Sequence, residues 1–254
     1  MLMRGFAAAL INVLAFTLLP NVCFGQIEVP SDAEFLAWPD YCQARFVQLP
    51  VGEQSQWATK ISRAQIEIAK RAIGETAFLS IHHACAGSMW LERARYEKDK
   101  TRRNFMYNQV TMETSYTLAR VPETSPLMPG LLANMAAAAR GLGNDDRAVE
   151  YLQHAVELLP ENPATYVSLG LLYRSMGDLQ KSRDVFVRGS KATGESSPEL
   201  NYDFALLLLQ LKEFPLAVHH ARLAYSLGFP LPGLKNKLKK LGLWDTPVPP
   251  SAAQ

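Results

Sequence analysis

The chain has 254 residues, with 26 Lys and Arg against 24 Asp and Glu and a formal net charge of +2. This length is sufficient for one elongated domain with a sizeable core. The near balance of charge argues against nucleic acid as the main ligand. After the first 25 residues, no run is long and apolar enough to cross a bilayer, so we expect no stable membrane span in the processed chain.

Residues 1–25 are typical of a secretory signal peptide. Arg4 gives a positive start, and residues 5–19 form an apolar stretch that is too short to span a bilayer comfortably. Cys23 and Gly25 supply the small residues that signal cleavage before Gln26 requires. Export is therefore predicted, with a retained N-terminal anchor as the alternative.

Two cysteines, Cys42 and Cys85, remain after removal of such a signal. Cysteines in an oxidising compartment pair by default, so the sequence predicts a Cys42–Cys85 disulfide. A metal- or thiol-dependent protein is the alternative, because His82 shares a helical face with Cys85 and Cys42 could be a third ligand for zinc or copper. No fourth ligand and no Cys-x-x-Cys motif accompany them, so we predict a structural disulfide, no metal and no cofactor.

Residues 26–128 are predicted to form an irregular helical region. The spacing of apolar residues indicates a short helix from residue 33 and a longer one over residues 54–72. An antiparallel helix pair follows at about 75–118, in which small residues around Cys85 allow the two helices to approach closely. A turn-rich connector then leads to the more regular part of the chain.

A pattern of two helices is repeated three times over residues 129–231. Small residues recur at spacings of 34 and 35 in each first helix and again in each second helix. These small residues are Ala136, Gly170 and Ala205 in the first helices and Ala148, Ser182 and Ala217 in the second. The pattern resembles the tetratricopeptide repeat (TPR), and the earlier pair at 75–118 resembles a degenerate copy of it. This resemblance implies an all-α fold, a right-handed superhelix of antiparallel helix pairs with an irregular helical N-terminal cap.

Residues 232–254 are predicted to form a capping helix and a disordered tail. Leu234, Leu238 and Leu241 lie on one helical face, and lysines lie on the other. Such a helix is typical of one that covers the last repeat of an array. Contact with an anionic membrane is the alternative.

The sequence contains none of the usual enzyme motifs, so we predict a non-catalytic protein. It has no phosphate-binding loop, no Gly-x-Ser-x-Gly elbow and no paired catalytic carboxylates. The adjacent His219 and His220 have no obvious acidic partner. A basic stretch that includes Arg102 and Arg103 is diluted by acidic residues, which is typical of a solvated turn, although it could bind an acidic polymer or headgroup.

In TPR proteins, residues of the first helices line a concave groove, and the resemblance implies which residues would do so here. They are Ala133, Ala137, Arg140, Val167, Leu171, Arg174, Tyr202, Leu206 and Gln210. Most are apolar, and only Arg140 and Arg174, at equivalent places one repeat apart, could hold a carboxylate. Such a groove either receives a hydrophobic peptide or helix, or is filled by the protein's own N-terminal segment.

We therefore expect an exported scaffold that binds a protein partner in a cell-envelope assembly. The sequences WPDYC and HHACAGSMWLERA near the front loosely resemble the leading region of bacterial envelope TPR proteins. Together with the shape of the signal, this resemblance implies the bacterial periplasm. One alternative is an accessory factor in the biogenesis of polysaccharides or lipid-linked envelope components, binding an acidic ligand. The metal- or thiol-dependent protein described above is the other. The sequence predicts neither the identity of the partner nor the oligomeric state.

Overall fold

The computed structural model describes residues 29–245, so the predicted signal peptide and the predicted tail from residue 246 lie outside the described residues. Over this range the chain forms thirteen α-helices and no strand, as the all-α prediction required. The helices are α1 (Asp32–Ala37), α2 (Asp40–Phe46), α3 (Pro50–Glu53), α4 (Arg63–Ile73), α5 (Glu75–Tyr96), α6 (Lys100–Leu118), α7 (Met128–Gly141), α8 (Asp145–Leu158), α9 (Pro163–Met176), α10 (Leu179–Thr193), α11 (Pro198–Gln210), α12 (Phe214–Ser226) and α13 (Gly233–Lys240). None of these helices has the combination of length and apolarity needed to cross a bilayer.

The predicted helix over residues 54–72 is wrong in its first half, where the chain forms turns between α3 and α4. Trp57 is only 5% exposed and stacks on Phe35, with ring centroids 4.2 Å apart. Helix α4 begins only after Ser62, whose hydroxyl accepts a hydrogen bond from the Gln65 backbone N–H in a capping box. The helical spacing of Trp57 therefore reflected burial in an aromatic cluster and not a continuous helix.

Helices α5 and α6 form the antiparallel pair predicted around Cys85. They approach closely at Gly87, where an added Cβ would lie 2.6 Å from Oγ1 of Thr114. The buried Thr117 hydroxyl reinforces the crossing, because it donates to the Ser80 carbonyl at 2.8 Å. Small and hydroxyl-bearing residues thus let the two helix backbones pack closely.

A disulfide between Cys42 and Cys85 attaches the N-terminal helices to this pair. It joins α2 to the middle of α5, with the two Cα atoms 5.8 Å apart. An ion pair reinforces the attachment, since Nε and Nη2 of Arg93 donate to the Glu34 carboxylate at 2.7 and 2.9 Å. The N-terminal helices α1, α2 and α4 therefore form a cap that is fixed against α5.

The regular part of the chain consists of three stacked helix pairs, α7–α8, α9–α10 and α11–α12. All six small residues predicted at the helix crossings are buried. At one crossing an added Cβ on Gly170 would lie 2.6 Å from the Phe186 ring, and the Ser182 hydroxyl donates to the Gly170 carbonyl at 2.8 Å. The sequence period therefore identified the packing contacts correctly.

Helix α13 covers the last pair, as predicted for a capping helix. Leu234 and Leu238 are 1% and 0% exposed, but Leu241, predicted on the same face, is 54% exposed. Leu241 follows the last residue of α13 as its C-cap, and it does not share the burial of the other two leucines. After the helix, the Trp244 carbonyl accepts a hydrogen bond from Arg222 of α12 at 2.7 Å.

Candidate functional site

A groove of about 650 Å³ lies along the first helices of the repeats. Its walls come from the end of α5 and from α7, α8, α9 and α11. Six of the nine residues predicted to line a groove do so: Ala133, Ala137, Arg140, Leu171, Arg174 and Gln210. The N-terminal helices pack against α5 and one another, and no described residue fills the groove.

Val167, Tyr202 and Leu206, the other three predicted residues, do not line this groove. All three are partly buried and pack against the core of the three repeats. Tyr202 also stacks on Phe229, with ring centroids 4.0 Å apart. Phe229 lies after the end of α12, outside the paired helices whose spacing defines the repeats, so that spacing could not show this contact.

The groove has an apolar floor and wall together with three arginines. Leu171 and Leu172 of α9, Leu152 of α8 and three alanines of α7 supply the apolar lining, and Leu171 is the most exposed of the leucines. An apolar concave surface with a few polar groups is the common form of a ligand-binding site in proteins. This surface is therefore the candidate functional site, and we call it the repeat groove.

Two of the arginines were predicted, and Arg95 of α5 was not. In Arg174, Nε donates to Oε1 of Gln210 at 3.0 Å, and in Arg95, Nη1 donates to Oε2 of Glu92 at 2.8 Å. Nη1 of Arg140 lies 3.7 Å from Oδ1 of Asp145. A guanidinium has five N–H donors, so each arginine retains donors for a carboxylate on a ligand.

The basic turn after α5 is less suited to an acidic ligand than its composition implied. Nε of Arg102 lies 3.4 Å from Oε2 of Glu97, and Nη1 of Arg103 donates to the Glu97 carbonyl at 3.0 Å. Asp99 caps α6 and also approaches Arg102, at 4.0 Å. These internal partners reduce the positive potential that an acidic polymer would meet.

The disulfide removes the ligands that a metal- or thiol-dependent function would need. A disulfide sulfur is not the thiolate that binds zinc or copper, so Cys42 and Cys85 cannot join His82 in such a site. Burial, together with His83 and Arg45, lowers the pKa of His82 to about 4. His82 is thus a neutral packing residue at physiological pH.

The histidine pair in α12 was wrongly predicted to have no acidic partner. Oε2 of Glu195 lies 3.6 Å from Nε2 of His219. His220 is 4% exposed, and its Nδ1 forms a hydrogen bond with Oδ1 of Asn201 at 2.8 Å. Burial and the neighbouring His219 lower the pKa of His220 to about 4. Glu195 is 24 residues before His219 in a turn that the repeat pattern does not describe.

Comparison with known proteins identifies the first two of the three helix pairs. The family model for the tetratricopeptide repeat matches residues 129–162 and 163–192. No curated protein sequence shows significant similarity to the chain. Similar solved structures include a thermophilic TPR protein of Thermus thermophilus, TTC0263, at 16% identity and a TM-score of 0.44, covering 68% of this chain and 98% of that one. Another is MamA of strain AMB-1, at 14% identity and a TM-score of 0.40, covering 65% and 84%.

Proposed function

We propose that this tetratricopeptide-repeat protein is a non-catalytic scaffold that binds a partner protein in the repeat groove. The ligand is an apolar peptide segment or helix that carries a carboxylate. The observation that carries the proposal is the combination of apolar walls with Arg95, Arg140 and Arg174 in one groove of about 650 Å³.

The apolar walls supply affinity and the arginines supply orientation. Burial of apolar surface contributes roughly 25 cal/mol per Å², so the apolar surface that the groove still exposes is the main source of binding free energy. Leu171, which is 36% exposed, offers the largest apolar side chain at the opening. An arginine that binds a carboxylate in a bidentate manner fixes the direction of the ligand. A ligand with both features uses the whole groove.

We further propose that the protein is exported to the bacterial periplasm and belongs to a cell-envelope assembly. The signal-like features of residues 1–25 support export. The Cys42–Cys85 disulfide supports it as well, because such bonds persist in oxidising compartments. Cell fractionation with N-terminal sequencing tests this proposal, and an N-terminus at Gln26 in the periplasmic fraction is expected. A protein that retains residues 1–25 in the cytoplasm would contradict it.

Binding in the repeat groove can be tested with peptides selected from a random phage-displayed library. The affinity of a selected peptide is measured by fluorescence anisotropy against the purified protein and against Leu171→Asp and Arg174→Glu variants. Leu227→Asp and Arg188→Glu are the matched controls, because both residues are exposed and lie outside the groove. The groove variants should bind at least about tenfold more weakly, which corresponds to about 1.4 kcal/mol. The controls should bind as the parent protein does.

A charge exchange makes the test specific. The acidic residue of the peptide that faces Arg174 is replaced by lysine. The altered peptide should bind the parent protein more weakly than the original peptide does. It should bind the Arg174→Glu variant more tightly than the original peptide does. Equal binding to all four variants would show that the peptide binds elsewhere, and the groove proposal would fail.

The competing proposal, an accessory factor that binds an acidic polysaccharide or lipid headgroup, rests on the basic turn. It predicts binding that falls as salt is raised and that disappears when Arg102 and Arg103 are neutralised. We favour the groove because Arg102 already pairs with the Glu97 carboxylate and Arg103 already donates to the Glu97 backbone carbonyl.

A further inference from the structure

Three potential metal ligands converge in the third repeat, away from the repeat groove. Glu195 lies in the turn between α10 and α11, and His219 and His220 lie on α12. One nitrogen or oxygen atom from each of the three lies within 4.8 Å of the others. Imidazole and carboxylate are ligands that Zn²⁺ accepts in proteins.

The buried Asn201 fixes the protonation of His220. Its Nδ2 donates to the carbonyls of Glu195 at 2.7 Å and Ser197 at 2.9 Å, so its Oδ1 must face Nδ1 of His220 at 2.8 Å. Because Oδ1 only accepts, Nδ1 of the neutral imidazole carries the proton and Nε2 carries the lone pair. Metal-binding histidines typically have this arrangement, with the second ring nitrogen donating to an outer partner.

The same asparagine also holds the acidic residue in place. Through the Glu195 carbonyl it fixes a turn in which Glu195 has a φ of 58°, a left-handed conformation that L-residues rarely adopt. The turn directs the Glu195 carboxylate towards α12, and 39% of that side chain remains exposed. Asn201 itself is 0% exposed, so a single buried side chain orients ligands from two elements.

Nε2 of His219 is buried and has no hydrogen-bond partner in the described structure. Oε2 of Glu195 lies 3.6 Å away, which is beyond hydrogen-bonding distance. Two ligand atoms bound to one zinc ion lie about 3.3 Å apart, given bond lengths of about 2.0–2.1 Å and tetrahedral angles. A cation between these atoms would satisfy both with a small side-chain rotation.

We propose that Glu195, His219 and His220 bind a divalent transition-metal ion, with Zn²⁺ as the ion that best suits the ligands. Water completes the coordination on the exposed side of Glu195, as in zinc sites that have three protein ligands. Asn201 is a positioning residue in the outer shell. The ion joins the α10–α11 turn to α12 and thereby stabilises the third repeat, independently of any ligand in the repeat groove.

Isothermal titration with zinc sulfate tests the proposal, using the untagged processed protein after dialysis against chelator. The Glu195→Gln and His219→Gln variants remove one ligand each, and His154→Gln, an exposed histidine on α8, is the matched control. We expect one Zn²⁺ per chain, an affinity reduced at least tenfold in both ligand variants, and an unchanged affinity in the control. Thiol titration confirms that the disulfide is intact and contributes no ligand.

Two further measurements separate a lost ligand from a damaged fold. Urea unfolding without metal should give similar midpoints for the parent protein and both ligand variants, and zinc should raise the midpoint only in the parent and in His154→Gln. Absence of zinc binding in the parent protein would overturn the proposal. So would an affinity that neither Glu195→Gln nor His219→Gln reduces.

Discussion

Replacing Gly189 by alanine is expected to destabilise the protein, although alanine is the better helix former. Gly189 lies inside α10 and is buried. An added Cβ would lie 2.7 Å from Cβ of Tyr166 and 2.8 Å from Cδ1 of Leu200. The Tyr166 Cβ is bonded directly to the backbone and cannot rotate away, and Leu200 is 0% exposed. The helices must therefore move apart to accept the methyl group.

Two opposing effects decide the size of the change. Alanine in place of glycine inside a helix stabilises by about 1 kcal/mol. An extra carbon in a well-packed core costs about 1–3 kcal/mol. The Tyr166 hydroxyl donates to the Pro160 carbonyl at 2.8 Å, which restricts movement of the ring and favours the upper part of that range. We expect the free energy of unfolding to fall by about 1–2 kcal/mol.

Urea unfolding followed by circular dichroism measures this change, and Gly130→Ala is the matched control. Gly130 is exposed in the first turn of α7, and an added Cβ there meets no atom within 4 Å. The control should therefore unfold at the same urea concentration as the parent protein or slightly higher. If Gly189→Ala is as stable as Gly130→Ala, the inferred close approach of α10 to α9 and α11 is incorrect.

Three further predictions concern the N-terminal cap and the last repeat. Replacing both Cys42 and Cys85 by alanine should lower the free energy of unfolding by about 4 kcal/mol, because the chain-entropy model gives this value for cysteines 43 residues apart. Urea unfolding without reductant measures this loss. The pKa of His82, about 4, lies below its unfolded value of about 6.5, so stability should be retained above pH 6.5 and fall as the pH drops towards 4. After a discount for partial exposure the loss is about 1–2 kcal/mol, and urea unfolding of His82→Gln between pH 4 and 7 should show a smaller decrease. Lys212 occupies a turn with a φ of 63°, a backbone conformation that glycine adopts more easily than lysine. Lys212→Gly should therefore increase the free energy of unfolding by about 1 kcal/mol, which urea unfolding measures as a higher midpoint.

The repeats could be predicted from sequence because their packing is periodic. Ala136, Gly170 and Ala205 occupy equivalent crossings, and close approach of the two helices at each crossing requires a small side chain there. The helix over residues 54–72 could not be predicted correctly for the opposite reason. Trp57 is placed by a stacking contact with Phe35, a residue more than 20 positions away, and this contact leaves no local pattern.

The same distinction explains which site residues were found. Arg140 and Arg174 line the repeat groove because equivalent positions on successive first helices face the same side. Tyr202 is also equivalent by spacing, but it is covered by Phe229 from the segment that leads to the capping helix. Glu195 and His219 approach each other through a turn, and turns vary from one repeat to the next. Contacts made by turns and by the ends of the array therefore required the structure.

Arg95 shows that the repeat groove extends beyond the three regular repeats. It lies in the last turn of α5, so the arginines of the groove come from three successive first helices, α5, α7 and α9. A ligand that contacts all three must span the α5–α6 pair as well as two repeats. The N-terminal cap is fixed to α5 by the disulfide at Cys85 and by the Arg93–Glu34 ion pair, two residues before Arg95. The cap therefore does more than close the core, because it determines where one arginine of the groove is held.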